Sequence, residues 1–217
     1  MAEVHERTIE STPEETSYEL RAAEASIWTG SRLLVGIATF AFASLAFAYF
    51  YLRSSNNEDL WRPDGITAPT SIGATIAAIV VGSAFLNAFG LRRLRAGTTN
   101  DWLVAGWTAV LGGLIAMGLQ IYELTRLPFF PGSSGYASCF IGWASLNIAA
   151  LFAGIYWLET VLARALRVRH LEAIGEISAD SNAPEMRVFR TNIESCAYFW
   201  TYLGLISALF WVLFYVV

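Results

Sequence analysis

Five uncharged apolar runs, each about as long as a bilayer's hydrocarbon core is thick, govern what this chain can fold into. They are Leu33–Leu52, Ser71–Leu91, Trp102–Tyr122, Tyr136–Leu158 and Ser195–Val217. A helix needs about 20 apolar residues to cross that core. The pattern therefore predicts an all-α, polytopic membrane protein: a bundle of five transmembrane helices, with spans near 31–53, 71–91, 102–123, 136–163 and 194–217. The stretch before the fourth, Pro-Phe-Phe-Pro-Gly-Ser-Ser-Gly over 128–135, reads as a turn. Composition agrees. Hydrophobic residues make up 55% and charged residues 15% of the 217, where soluble domains run at about 25% charged. A net charge of −4 removes nucleic acid as a partner class.

Arginine supplies every cation, fourteen in all, and no lysine is present. Eleven fall on the side that holds the N-terminus: Arg7, Arg21, Arg32, Arg92, Arg93, Arg95, Arg164, Arg167, Arg169, Arg187 and Arg190. Only Arg53, Arg62 and Arg126 fall on the other. The positive-inside rule then predicts a cytoplasmic N-terminus and an external C-terminus. Residues 1–26 form an acidic cytoplasmic lead-in, and 27–217 the membrane domain. The lead-in lacks the apolar stretch of a signal peptide. Thr12-Pro13-Glu14-Glu15 has the cap, first-turn proline and acidic third residue of a helix start. Thr191-Asn192-Ile193-Glu194 has a similar capping pattern, which predicts that the fifth helix opens there.

Ligand chemistry is sparse. The two histidines, His5 and His170, both fall outside the spans, and Cys139 and Cys196 stand 57 positions apart. Haem in a bundle needs axial His or Met on facing helices, and Met117 is the only Met within a span. The chain is therefore expected to bind no haem, copper or iron–sulfur cluster itself, and each Cys reads as a small buried hydrophobe. Ionisable groups inside a membrane mark ion paths. Here they sit at the span ends, Glu123, Glu159 and Glu194, with Asn87 and Asn147 further in. A small stand-alone transporter would have to run through Asn87, Asn147, Gln120 and Glu123. Gln120, Glu123, Asn147 and Trp61 are the candidates for structural polar contacts. The Arg clusters, Arg92, Arg93, Arg95 and Arg164, Arg167, Arg169, are the candidates for lipid-headgroup contacts, at about 1 kcal/mol per residue.

Small residues recur four apart at Gly73/Ala77, Ala78/Gly82, Gly112/Ala116, Ala149/Ala153 and Ala150/Gly154, a pattern that lets helices approach closely. The fifth span is ringed instead by Tyr198, Phe199, Trp200, Tyr202, Phe210, Trp211, Phe214 and Tyr215. It reads as a bulky helix facing lipid or another subunit.

The order of these features resembles subunit III of haem-copper oxidases, the cytochrome c oxidase type, in its five-helix bacterial form. The resemblance runs from about Ile27 to Val217. The first span, Phe40 to Arg53, is similar to the family's aromatic-and-small helix ending in Tyr-Phe and a basic residue. Trp61-Arg62-Pro63 is similar to its Trp-Pro-Pro, and Gln120-Ile121-Tyr122-Glu123 to its Gln-x-x-Glu-Tyr. Gly132 to Phe140 is similar to its Gly-Ser-x-Tyr-x-x-x-Phe entry, and Ala197-Tyr198-Phe199-Trp200 to its Tyr-Tyr-Trp. Three positions depart from it. Ala38 stands where the family has a glutamate, Asn147 to Leu151 where it has His-Gly-x-His-Val, and Thr201 to Gly204 where it has His-Phe-x-Asp.

The resemblance implies a non-catalytic subunit III-like component of an aerobic respiratory terminal oxidase, multi-pass in the bacterial cytoplasmic membrane. Haem and copper would sit on the partner, catalytic subunit I, where O2 reduction is coupled to proton translocation. This chain would stabilise that partner and bind phospholipid. With the ionisable residues missing and the apolar frame kept, a scaffold role fits better than proton collection. An accessory subunit of a nitric oxide reductase is the alternative.

Overall fold

The computed structural model describes residues 13–56, 60–173 and 184–217. His5, Arg7 and the Thr12 cap fall outside them. The described residues form five helices: α1 (Pro13–Ser54), α2 (Thr70–Arg95), α3 (Thr99–Thr125), α4 (Gly135–Ala173) and α5 (Pro184–Trp211), with a π-helical turn, Val212–Val216, closing α5. All five are long and apolar enough to cross a membrane, and the chain is a multi-pass membrane protein. At 1.5 Å per residue, the 42 residues of α1 reach about 63 Å, twice the hydrocarbon thickness of about 30 Å.

The fifth helix starts seven residues before the capping pattern at Thr191 that was expected to open it. Thr191 lies inside the helix, where its hydroxyl donates back to the Arg187 carbonyl at 3.1 Å. A Thr-x-x-Glu pattern caps only where the preceding backbone leaves the helix, and here it does not.

Helices α2, α3, α4 and α5 close a ring, each packed against the next, and α1 lies outside it against α4 and α5. Only 11% of the most apolar stretch of α1 is buried, against 44% for α3, α4 and α5. Helix α5 is thus a member of the ring, no more exposed than α3 or α4, and several of the rings expected to face lipid or another subunit turn inward. The rings of Phe199, Trp200, Phe210 and Phe214 are buried, while Tyr198 is exposed.

Small residues make this possible. A Cβ at Gly113 would stand 3.0 Å from the Trp200 ring, and one at Gly154 would meet Trp200 at 3.0 Å and Leu203 at 2.8 Å. A Cβ at Gly73 would fall within the Tyr215 ring. Glycines on α2, α3 and α4 are therefore sockets for α5 side chains. Gly112 and Gly90 serve the α2–α3 contact instead, facing Ser83 and Ala105. The pairs Ala78/Gly82 and Ala149/Ala153 seat nothing: Ala78 and Ala149 are exposed and the space at Gly82 is open.

Two apolar cores result. One, rich in aliphatics such as Val80, Leu151, Leu158 and Leu203, fills the ring toward the Arg-rich end. The other is aromatic, built from Phe42, Tyr49, Trp61, Tyr136, Phe140, Trp143 and Phe214 at the opposite end.

Polar clasps tie the Arg-rich end. Arg93 pairs with Asp101 across the α2–α3 turn, Arg95 with Glu194 between α2 and α5, and Arg187 with Glu24 between α5 and α1. The Trp157 indole donates to Asn192 at 2.9 Å, linking α4 to α5. The turn itself closes on Gly97, whose φ of +87° suits glycine.

Candidate functional site

Inside an apolar bundle, a buried carboxylate is the residue that most needs explaining. Glu123 is fully buried, as is Gln120, and Asn147 is 1% exposed. Gln120 and Glu123 stand three apart on α3 and so share a face. Gln120 Nε2 donates to Glu123 Oε2 at 2.6 Å. Asn147 on α4 donates through Nδ2 to Gln120 Oε1 at 3.1 Å. The Tyr215 hydroxyl, carried by the π-helical turn, donates to Glu123 Oε1 at 2.6 Å. Gly73 on α2 leaves room for the Tyr215 ring. All four helices of the ring therefore converge on one chain of hydrogen bonds, Asn147 to Gln120 to Glu123 to Tyr215.

Both carboxylate oxygens accept from neutral donors. The ion pairs Arg93–Asp101, Arg95–Glu194 and Arg187–Glu24 lie at the Arg-rich end, away from Glu123. Arg126, three residues on, stacks over Tyr122 at 5.1 Å. No group of three or more His, Cys, Asp or Glu among the described residues is placed to hold a metal ion. The arrangement offers no paired nucleophile and base. It can bind helices together and hold a carboxyl group inside the membrane.

Of the residues singled out in the sequence, Gln120, Glu123 and Asn147 meet here. Trp61 does not. It lies in the aromatic core, where its ring packs edge-on to Tyr49 at 4.9 Å and its carbonyl accepts from the Tyr136 amide at 3.0 Å. A Cβ at Gly135 would come within 2.8 Å of the Trp61 ring, so the loop before α2 is keyed against the start of α4. Tyr136 in turn donates to the Phe214 carbonyl at 3.0 Å and carries Arg62 over its ring at 4.7 Å. Asn87 is buried on α2 and makes no contact with the network. Tyr215 is the member that sequence reasoning missed. One signal pointed to it: Glu123 closes the third run and Tyr215 closes the fifth, and alternating spans bring those two ends to the same membrane face.

The arginine candidates lie apart from this site, at the other end of the bundle. Arg93 and Arg95 are engaged in ion pairs. Arg164 stacks over Phe189 at 5.3 Å. Arg92, Arg167 and Arg169 are exposed and form no ion pair among the described residues. Arg169 borders an open depression with the α2–α3 turn, residues 97–101.

Over 132 residues the chain is 24% identical to cytochrome c oxidase subunit 3 of Thermostichus vulcanus. It is similar to an oxidase subunit III. The matched stretch takes in 61% of this chain and 65% of the relative, just under two thirds of that protein's length. No family model matches the chain. The relative is of the family that the order of sequence motifs resembles.

Proposed function

We propose that this chain is a non-catalytic subunit III-like component of an aerobic terminal oxidase in a bacterial cytoplasmic membrane. One observation carries the reading: the similarity to cytochrome c oxidase subunit 3 in a chain with five membrane-spanning helices. The site chemistry supports a structural role. Every member of the Asn147–Gln120–Glu123–Tyr215 chain is engaged with another, which suits a brace more than a substrate path. O2 reduction, with haem and copper, belongs to the partner, catalytic subunit I. The exposed apolar side of α1, with Leu33, Ile37, Phe40 and Phe47 outward, faces lipid or that partner. Arg92, Arg167 and Arg169, exposed on α2 and α4, hold phospholipid headgroups at the cytoplasmic face.

The test is gentle solubilisation from the native membrane with an affinity tag on this chain. Recovery with a haem-bearing subunit that shows an oxidase spectrum is the expected result. Recovery solely as a free homo-oligomer overturns the reading. Co-purification with a haem-bearing subunit that reduces nitric oxide and not O2 assigns the chain to a nitric oxide reductase instead.

A further inference from the structure

Among the described residues Glu123 is the only buried acid. No element packed around it brings a compensating charge. Over residues 70–83, α2 holds no ionisable side chain. Tyr136 and Tyr215, which α4 and the π-helical turn bring near it, are phenols and supply no positive charge. The three arginines of this end are stacked over rings instead: Arg53 over Tyr49 at 6.0 Å, Arg62 over Tyr136 at 4.7 Å and Arg126 over Tyr122 at 5.1 Å. None of them pairs with Glu123. A carboxylate stripped of water and left without a cation is costly enough that such a group gives up its charge.

The contact distances place the proton. Gln120 and Glu123 stand 2.6 Å apart. N–H···O bonds run at about 2.7–3.2 Å and O–H···O bonds at about 2.5–3.0 Å, so this contact has the length of an O–H···O bond. The Tyr215 contact, also 2.6 Å, fits either state of the acid. We propose that Glu123 is a neutral carboxylic acid, a proton site inside the bundle, whose Oε2–H donates to the Gln120 amide oxygen. Half a turn of a side-chain amide exchanges its O and N. With Gln120 and Asn147 so turned, the Gln120 nitrogen donates to the Asn147 oxygen across the same 3.1 Å, inside the N–H···O range. Tyr215 keeps its bond to Oε1. The chain then runs one way, from Tyr215 to Glu123 to Gln120 to Asn147. A carboxylic acid kept neutral by an apolar site can donate as well as accept. Helix α3 is thereby tied to α4 and α5 with no charge placed in the hydrocarbon.

Infrared spectroscopy reads the proton directly, because the C=O stretch of a carboxylic acid lies above the amide I band and a carboxylate has none there. The full chain is reconstituted at neutral pH in bilayers of ether-linked phospholipid, which carry no ester carbonyl to mask the band. The expected result is an acid band in the parent that 13C-labelling of Glu shifts down and that Glu123→Gln abolishes. A parent with no acid band, or a band that survives Glu123→Gln, overturns the proposal. If Glu123→Gln fails to fold, solid-state NMR of the labelled parent decides. The Glu carboxyl carbon in contact with the Tyr215 ring should show the chemical shift of an acid, and the shift of a carboxylate there overturns the proposal.

Discussion

Among the described residues no cation pairs with Glu123, so its place in the bundle depends on two neutral hydrogen-bond partners and the packing around them. Replacing Tyr215 by Phe leaves Oε1 without its donor in a site closed to solvent. Hydrogen bonds between membrane helices measure about 0.6 kcal/mol on average and up to about 1.7 kcal/mol. A double-mutant cycle of Tyr215→Phe with Glu123→Gln should return a coupling in that range, read from denaturant-driven unfolding in mixed micelles. Purely additive losses would mean that the two side chains do not interact. Gly73 acts on the same pair. A Cβ there would overlap the Tyr215 ring, so Gly73→Ala should destabilise the parent but cost far less in a Tyr215→Ala background. Equal losses in both backgrounds would remove the socket role. Much of this site was legible in the sequence, because Gln120, Glu123 and Asn147 are polar residues in apolar runs. Tyr215 was not, because one more ring in a span already crowded with rings reads as part of an interfacial belt. Its role rests on a π-helical turn and on a glycine 142 positions earlier, and no local pattern encodes that pairing.

At the scale of helices, run length alone placed all five elements, because a bilayer imposes a minimum length and tolerates few charges within it. What run length does not set is how the helices pack against one another. Helix α5 carries the bulk and α2, α3 and α4 carry the gaps. Glycine spacing showed that close approach would occur, but not that the approaching group would be a Trp or Tyr side chain in place of a backbone. The start of α5 was misplaced for a related reason: Glu185, Arg187 and Arg190 interrupt the apolar residues before Thr191, and a helix that leaves the membrane needs no uncharged run to continue. The Trp200 socket supplies a direct check. Gly113→Ala and Gly154→Ala each crowd the ring from opposite helices, and overpacking of this kind costs about 1–3 kcal/mol. Thermal unfolding in detergent should show each loss, and Trp200→Leu should relieve part of both, since residues in contact are not additive. Ion pairs at the Arg-rich end should matter much less. Arg95 and Glu194 are partly solvated, and exposed pairs contribute about 0–1 kcal/mol, so Glu194→Gln should leave the unfolding midpoint nearly unchanged.

The whole molecule is asymmetric along its long axis, with an aromatic, sparsely charged end and an Arg-rich end from which α1 and α4 project. The topology proposed from the arginine bias puts the projecting end in the cytoplasm. Orientation is testable without that partner, because the two native cysteines are buried and should resist a membrane-impermeant maleimide. Ser54 ends α1 at the aromatic end and Asn100 opens α3 at the Arg-rich end, and both are exposed. In intact spheroplasts, Ser54→Cys should label at once and Asn100→Cys only after lysis. The reverse pattern would invert the bundle and overturn the positive-inside assignment. Labelling of both before lysis would show that the two ends are not separated by a bilayer, and the five-span reading itself would fail. A cytoplasmic Asn100 carries a further consequence. The depression between Arg169 and the α2–α3 turn would then face the anionic leaflet, where Arg169→Gln should lower the amount of acidic phospholipid that co-purifies, while Arg93→Gln, already paired with Asp101, should lower it less.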